Sequence, residues 1–118
     1  MRSAALLFLA GFLLHNADHL RRGLDVLTPE VVWAGTASGV ISLAAIGLAV
    51  LGSRRAPLVA GVVGFSMAVG VSIVHLLPRW SAWSDSLLSA DADLVTWVAV
   101  LCEIGGALVF GWAGLRKR

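Results

Sequence analysis

The chain has 118 residues, of which 58% are hydrophobic and 14% are charged, and its mean hydropathy is +0.89. This composition lies outside the range of soluble globular domains and predicts one small integral membrane domain covering residues 1–118. The formal net charge is only +2, and the nine basic residues occur at segment ends rather than in one patch. Nucleic-acid binding is therefore not expected.

Four apolar segments follow one another along the chain, each near the ~20 residues that a helix needs to cross a bilayer. They cover residues 3–20, 29–51, 57–77 and 92–115. Thr28, Pro29 and Glu30 form a typical helix start, while Gly52 and Pro57 separate the second segment from the third. The predicted fold class is all-α integral membrane, an antiparallel up-down bundle of four transmembrane helices.

The first segment ends in an unusually polar sequence. Its apolar run, residues 4–14, is too short to cross a bilayer, so residues 15–19 (His-Asn-Ala-Asp-His) are expected inside or at the edge of the membrane. Ionisable groups in that position are costly and usually functional. His15 and His19 share one helical face, the spacing at which H-E-x-x-H helices present two nitrogens to zinc. Asn16 replaces the glutamate of that motif, so a protease is not predicted.

The third segment supplies another histidine. In an antiparallel bundle the end of this segment lies beside the end of the first, so His75 is a candidate third ligand, with Asp18 as a ligand or as a group that orients a histidine. Three imidazoles and a carboxylate suit zinc, copper or iron. A second interpretation is haem b bound between His15 and His75.

Simpler interpretations of the same residues stay open. Asp18 precedes Arg22 by four residues, which is the spacing of an ordinary helical ion pair. His19 would then lie at the membrane interface without binding a metal ion.

The loop between the third and fourth segments contains Trp80 and Trp83, and tryptophan favours the headgroup region. These residues and Leu87 recur at helical spacing, which predicts a short interfacial helix over residues 80–88. In the fourth segment, Glu103 lies ~16 Å from the helix start and near the bilayer midplane. We assign Glu103 and Arg22 as relay or supporting groups around the histidines.

The basic residues also predict an orientation. One side of the bundle would carry Arg2, Arg54, Arg55, Arg116, Lys117 and Arg118, and the other side only Arg21, Arg22 and Arg79. The positive-inside rule then places both termini in the cytoplasm and the histidines near the outer face.

Residues 12–23, 74–80 and 102–106 resemble short hypothetical four-span membrane proteins of high-GC bacteria. The resemblance implies a multi-pass protein of the bacterial cytoplasmic membrane and no particular activity. The architecture also resembles that of the small multidrug resistance transporters, which are dimers built around a membrane glutamate. Their essential acid belongs to the first helix, whereas Glu103 belongs to the fourth.

Three functional hypotheses result. The first is binding of a transition metal or haem through the histidines near the outer face. The second is a dimeric small transporter or proton-coupled subunit that uses Glu103. The third is an accessory subunit of a larger membrane complex with no chemistry of its own. The lipid bilayer is a partner in all three, and the sequence leaves open whether the protein is an enzyme.

Overall fold

The computed structural model describes residues 1–89 and 92–117. These residues form four long helices and no β-strand, so the all-helical class is confirmed. The helices are α1 (Arg2–Arg22), α2 (Pro29–Val50), α3 (Ala56–Leu76) and α4 (Leu94–Leu115), and a short 3-10 turn covers Leu24–Val26. Each helix begins and ends within two residues of the corresponding apolar segment.

Local signals explain where these helices begin and end. The Thr28 side chain accepts a hydrogen bond from the Val31 amide at 3.3 Å, and Pro29 occupies the first helical position of α2. Asp93 caps α4 in the same way. Gly23 and Gly52, which follow α1 and α2, have positive φ angles of 93° and 74°, a conformation that glycine adopts readily.

Three of the helices, α2, α3 and α4, are long and apolar enough to cross a membrane. They expose many large apolar side chains, as expected of surfaces that face lipid rather than water. The protein is therefore a membrane protein by length and composition. The remaining helix, α1, is equally long but carries Arg2, Asp18, Arg21 and Arg22.

Helix α4 packs closely against both α1 and α3, and glycines make this approach possible. A Cβ atom added at Gly11 would lie 2.5 Å from a backbone oxygen of α4, and one at Gly64 would lie 2.5 Å from a backbone nitrogen of α4. Gly106 and Gly114 of α4 meet the backbones of α1 and α3 in the same way. We call the contact between α1 and α4 and the contact between α3 and α4 the α4 seams. Small residues at helix contacts are typical of membrane proteins, because they permit dense van der Waals packing.

Helix α2 is packed less tightly. A cavity of about 540 Å³ lies between α1, α2 and α3, and most of its wall is apolar. Gly35 and Gly70 belong to this wall, and a Cβ atom added at either would meet no atom within 4 Å. The α2 side of the molecule therefore contains open space where the α4 seams contain backbone contacts.

The prediction of an interfacial helix over residues 80–88 is wrong, because these residues form turns and irregular loop. Serine side chains accept hydrogen bonds from nearby backbone amides: Ser81 from Trp83 at 3.1 Å and Ser86 from Leu88 at 3.2 Å. Such local bonds compete with helix formation. Further amides of the loop bind carbonyls at the end of α3, so the segment folds back on that helix.

Candidate metal centre

The three histidines of the chain, two from α1 and one from α3, lie together at one end of the bundle. One ring nitrogen from each of His15, His19 and His75 lies within 4.8 Å of the other two. The centroid of the His15 ring is 4.5 Å from that of His19 and 4.7 Å from that of His75. We call this group the histidine cluster. It is compatible with binding of a metal ion.

His15 is the most enclosed member, with 5% of its surface exposed. Its Nδ1 contacts Oε2 of Glu103, which α4 brings close to α1 where Gly11 meets the α4 backbone. A neutral imidazole whose Nδ1–H donates to a carboxylate has its lone pair on Nε2, the arrangement usual for a metal ligand. That Nε2 is fully buried and has no hydrogen-bond partner within residues 1–89 and 92–117. A buried polar atom without a partner is costly, and a metal ion would satisfy it.

His75 is oriented in a similar way, although by backbone rather than by a carboxylate. Its Nδ1 donates to the carbonyl oxygen of Asp85 at 2.9 Å, which directs the Nε2 lone pair to the other side of the ring. The Asp85 amide donates to Val74 at 3.1 Å and the Leu87 amide donates to the His75 carbonyl at 2.9 Å. The loop is thus fixed on α3 beside the histidine that it orients.

His19 differs from the other two. Its Nδ1 lies 3.0 Å from Nη2 of Arg22, and a guanidinium group only donates hydrogen bonds. The neutral ring therefore carries its proton on Nε2. Ligation by Nε2 requires the other tautomer, in which Nδ1–H turns toward the Asp85 carboxylate 4.0 Å away. His15 and His75 are arranged as ligands in advance, whereas His19 must change its hydrogen bonding.

Asp18, predicted as a further ligand, is not part of the histidine cluster among the described residues. Its carboxylate forms ion pairs with Arg21 at 2.8 Å and with Arg22 at 3.3 Å. The reason is geometric, because adjacent helical residues are rotated by about 100° and Asp18 therefore leaves the face of His19. The helical ion pair with Arg22 is the interpretation that agrees with these contacts.

The sequence predictions give Asp85 no functional role and place it within the interfacial helix predicted over residues 80–88. Besides its carbonyl bond to His75, its carboxylate accepts a hydrogen bond from Arg22 at 2.8 Å and lies 3.5 Å from Nδ1 of His75. Asp85 thereby links Arg22 of α1 to His75 of α3. The only sequence signal for it was the opposite charge of Arg22 on the same predicted side of the bundle.

A second ion pair links α1 to the start of α4. Arg21 donates to Asp93 at 2.9 Å and to the Thr96 hydroxyl at 3.2 Å. The Asp93 carboxylate also accepts from the Thr96 amide at 3.0 Å. The hydrogen bond from Thr96, together with that from Arg21, lowers the pKa of Asp93 to about 2. Both arginines that end α1 are therefore paired with carboxylates.

Haem does not fit between His15 and His75. An iron ion with imidazoles on both faces would hold the two ligand nitrogens about 4 Å apart, with the macrocycle lying between the rings. The two rings here are 4.7 Å apart between centroids and are inclined at 76° in an edge-to-face contact. This arrangement leaves no room for a macrocycle, so the structure does not support the predicted haem site.

No protein-family model, curated protein or solved structure matches the chain.

Proposed function

We propose that the protein is a small membrane protein that binds one transition-metal ion through Nε2 of His15 and His75, with His19 as the third ligand. The observation that carries the proposal is the buried Nε2 of His15, which has no partner in the described part of the chain although its ring is already oriented by Glu103. His75 has an equivalent orienting partner in the Asp85 carbonyl. Such supporting hydrogen bonds fix the tautomer and direction of metal-binding imidazoles.

The ligand type favours zinc or copper, because the cluster offers neutral imidazoles and no thiolate. Zinc–nitrogen bonds of 2.0–2.1 Å in a tetrahedral site hold the ligand nitrogens about 3.3 Å apart. The nitrogens of the cluster lie within 4.8 Å of one another, so metal binding draws the rings together. Three protein ligands leave one position of a tetrahedral ion open.

The proposal includes a four-span antiparallel bundle, with α1 as the fourth span. Leu6, Leu13 and Leu20 on α1 are more than half exposed, as lipid-facing residues would be, whereas His15 and Asp18 are buried against other helices. The basic residues flanking the helices favour cytoplasmic termini. The histidine cluster would then lie near the outer face.

The test uses protein purified through a tag without histidine, so that the cluster holds the only imidazoles in the sample. After incubation with zinc and removal of free ion, elemental analysis should give one zinc per chain. His15→Ala and His75→Ala, which remove the two ligands that are already oriented, should each weaken zinc binding at least tenfold. His19→Ala should have a smaller effect, since His19 is not arranged as a ligand in advance.

Asn16→Ala is the matched control, because Asn16 lies on the same helix and its side chain donates to the Phe12 carbonyl rather than to the cluster. It should bind zinc as the unaltered chain does. A chain that retains no zinc, or histidine variants that bind as well as Asn16→Ala, would contradict the proposal.

A second candidate is proton-coupled transport, favoured by the burial of Glu103, which is 2% exposed and contacts His15. A carboxylate and an imidazole in contact within a bilayer can share and transfer a proton. This function predicts pH-dependent substrate binding that Glu103→Gln abolishes even in metal-free protein. Metal-dependent function that survives Glu103→Gln would exclude it.

A further inference from the structure

Metal binding alone does not explain the cavity between α1, α2 and α3. Its volume of about 540 Å³ is within the range of small-molecule sites, and the histidine cluster and Glu103 form part of its wall. The rest of the wall consists mostly of apolar residues such as Leu27, Val40 and Val71. A molecule in the cavity would therefore lie beside the proposed metal ion.

Most polar side chains in this wall lie at the cluster. Asn16, Thr36 and Ser38 also line the cavity; each donates a hydrogen bond to a carbonyl of its own helix, at 2.8, 2.8 and 3.1 Å, and keeps an oxygen that can accept one. The histidines and Glu103 are the polar groups that the structure brings together at one place in the wall. The ligand should accordingly be apolar along most of its length and polar at one end.

The charge of the wall restricts that polar end. Among the described residues that line the cavity there is no lysine or arginine and one carboxylate, Glu103, which is in contact with His15. Arg22, the nearest arginine to the cluster, is paired with Asp18 and Asp85. In the metal-free protein, a carboxylate or phosphate entering the cavity would meet no cation among the described lining residues and would face Glu103. An uncharged polar end avoids this cost.

Glycine keeps the cavity open. Gly35 of α2 and Gly70 of α3 are in its wall, and a side chain at either position would extend into free space rather than into a neighbouring helix. Neither glycine is needed for close helix packing, in contrast to Gly11 and Gly64 at the α4 seams. Their effect is to preserve volume beside the histidines.

We propose that this cavity binds an uncharged, membrane-soluble molecule with a hydroxyl or carbonyl group at one end. Its apolar body lies along α2, and its oxygen lies at the histidine cluster. The inference goes beyond the proposed function and does not require the metal ion: a hydroxyl group can donate to the buried Nε2 of His15, and the Nε2–H of His19 can donate to a hydroxyl or carbonyl oxygen. The class includes long-chain alcohols and aldehydes, and it excludes fatty acids and phospholipid headgroups.

The test is photolabelling with a ten-carbon alcohol that carries a diazirine in its chain, in parallel with the carboxylic acid of the same length. The metal-free protein in detergent should be labelled by the alcohol at cavity residues of α2, located by mass spectrometry. Labelling by the acid at the same residues should be at least tenfold weaker. Equal labelling by the two probes would overturn the proposal.

Variants then establish whether labelling depends on the cavity. Gly35→Leu and Gly70→Leu should each reduce labelling by the alcohol at least tenfold, because they fill the cavity. Gly47→Leu is the matched control: Gly47 also belongs to α2 and has no atom near an added Cβ, but it does not line the cavity. It should be labelled like the unaltered chain. Labelling that is insensitive to Gly35→Leu and Gly70→Leu would overturn the proposal.

Zinc retention by the same variants, measured on separately loaded samples, separates this inference from the proposed function. Gly70→Leu should retain zinc while losing the label, which supports both. Zinc retention without cavity labelling in the unaltered chain, or a dimer whose second copy fills the cavity, overturns the inference alone. Failure to retain zinc overturns the proposed function, and labelling that still depends on Gly35 and Gly70 then supports the cavity as a site where the histidines hydrogen-bond the oxygen directly.

Discussion

The α4 seams and the α2 side of the bundle use glycine for opposite purposes. At the seams, a Cβ at Gly11 or Gly64 would lie 2.5 Å from the backbone of α4, so glycine brings helices into contact. Beside α2, a Cβ at Gly35 or Gly70 would meet nothing within 4 Å. The same residue type therefore gives a rigid packed region and an open cavity within one small bundle, and pattern alone does not distinguish the two.

The histidine cluster lies at the boundary between these regions. Glu103 and His15 meet across the seam of α1 and α4, where the helices are closest, and both also border the cavity. Rigid support on one side and space on the other is the arrangement that a binding site requires: the ligating side chains are held in advance, and a ligand can still reach them.

The largest expected effect compares the two kinds of glycine directly. Gly64→Ala should reduce the free energy of unfolding by about 3 kcal/mol, because the added methyl group overlaps the α4 backbone and the helices must separate. Gly70→Ala, on the same helix, should change it by less than about 0.5 kcal/mol. Unfolding in mixed micelles with increasing sodium dodecyl sulfate, followed by circular dichroism, measures both. Equal losses for the two variants would break the comparison.

A smaller effect tests whether the seam supports the cluster. Glu103→Gln retains the size of the side chain but removes the charge that orients His15, and loss of such a supporting carboxylate typically lowers metal affinity by about 10–100-fold. Competition titration with a zinc-binding dye measures the change. Asn16→Ala, on the open side, should leave the affinity unchanged. If the Glu103→Gln variant binds zinc with full affinity, the contact of Glu103 with His15 does not contribute to metal binding.

The smallest effect concerns the end of α4. The pKa of Asp93 is lowered to about 2 in the folded protein, against an ordinary value of 3.8. A lowered folded pKa means that the carboxylate stabilises the fold fully above pH about 4 and that this stabilisation is lost as the pH falls toward 2. Thermal midpoints between pH 2 and 5 should therefore decline less for Asp93→Asn, which retains a cap but does not titrate. Identical pH profiles would contradict this account.

The helices of this protein were predictable because hydropathy and caps are local signals. Thr28 and Asp93 cap the helices beside which they stand, and the apolar segments between polar loops define the rest. The proximity of His15 and His19 follows equally from helical spacing. These features depend on neighbours in the sequence.

The contacts that orient the cluster depend on tertiary packing instead. Nothing in residues 81–86 shows that the Asp85 carbonyl will bind His75, and the helical spacing of Trp80 and Trp83 was outweighed by serine hydrogen bonds to the loop backbone. Asp18 lies one residue outside the ligating face, which a pattern of nearby polar residues does not resolve. Sequence located the candidate site but not its hydrogen bonds.

The placement of the histidines on α1 and α3 has a mechanical consequence. These helices each pack along α4 and share no extensive interface with one another among the described residues. His15 and His75 are far apart in sequence. An ion held by both would cross-link α1 and α3 at one end, much as a disulfide closes a loop. Occupancy of the site would then set the stiffness of that end of the bundle, so that taking up or releasing a single ion changes how easily the bundle opens there.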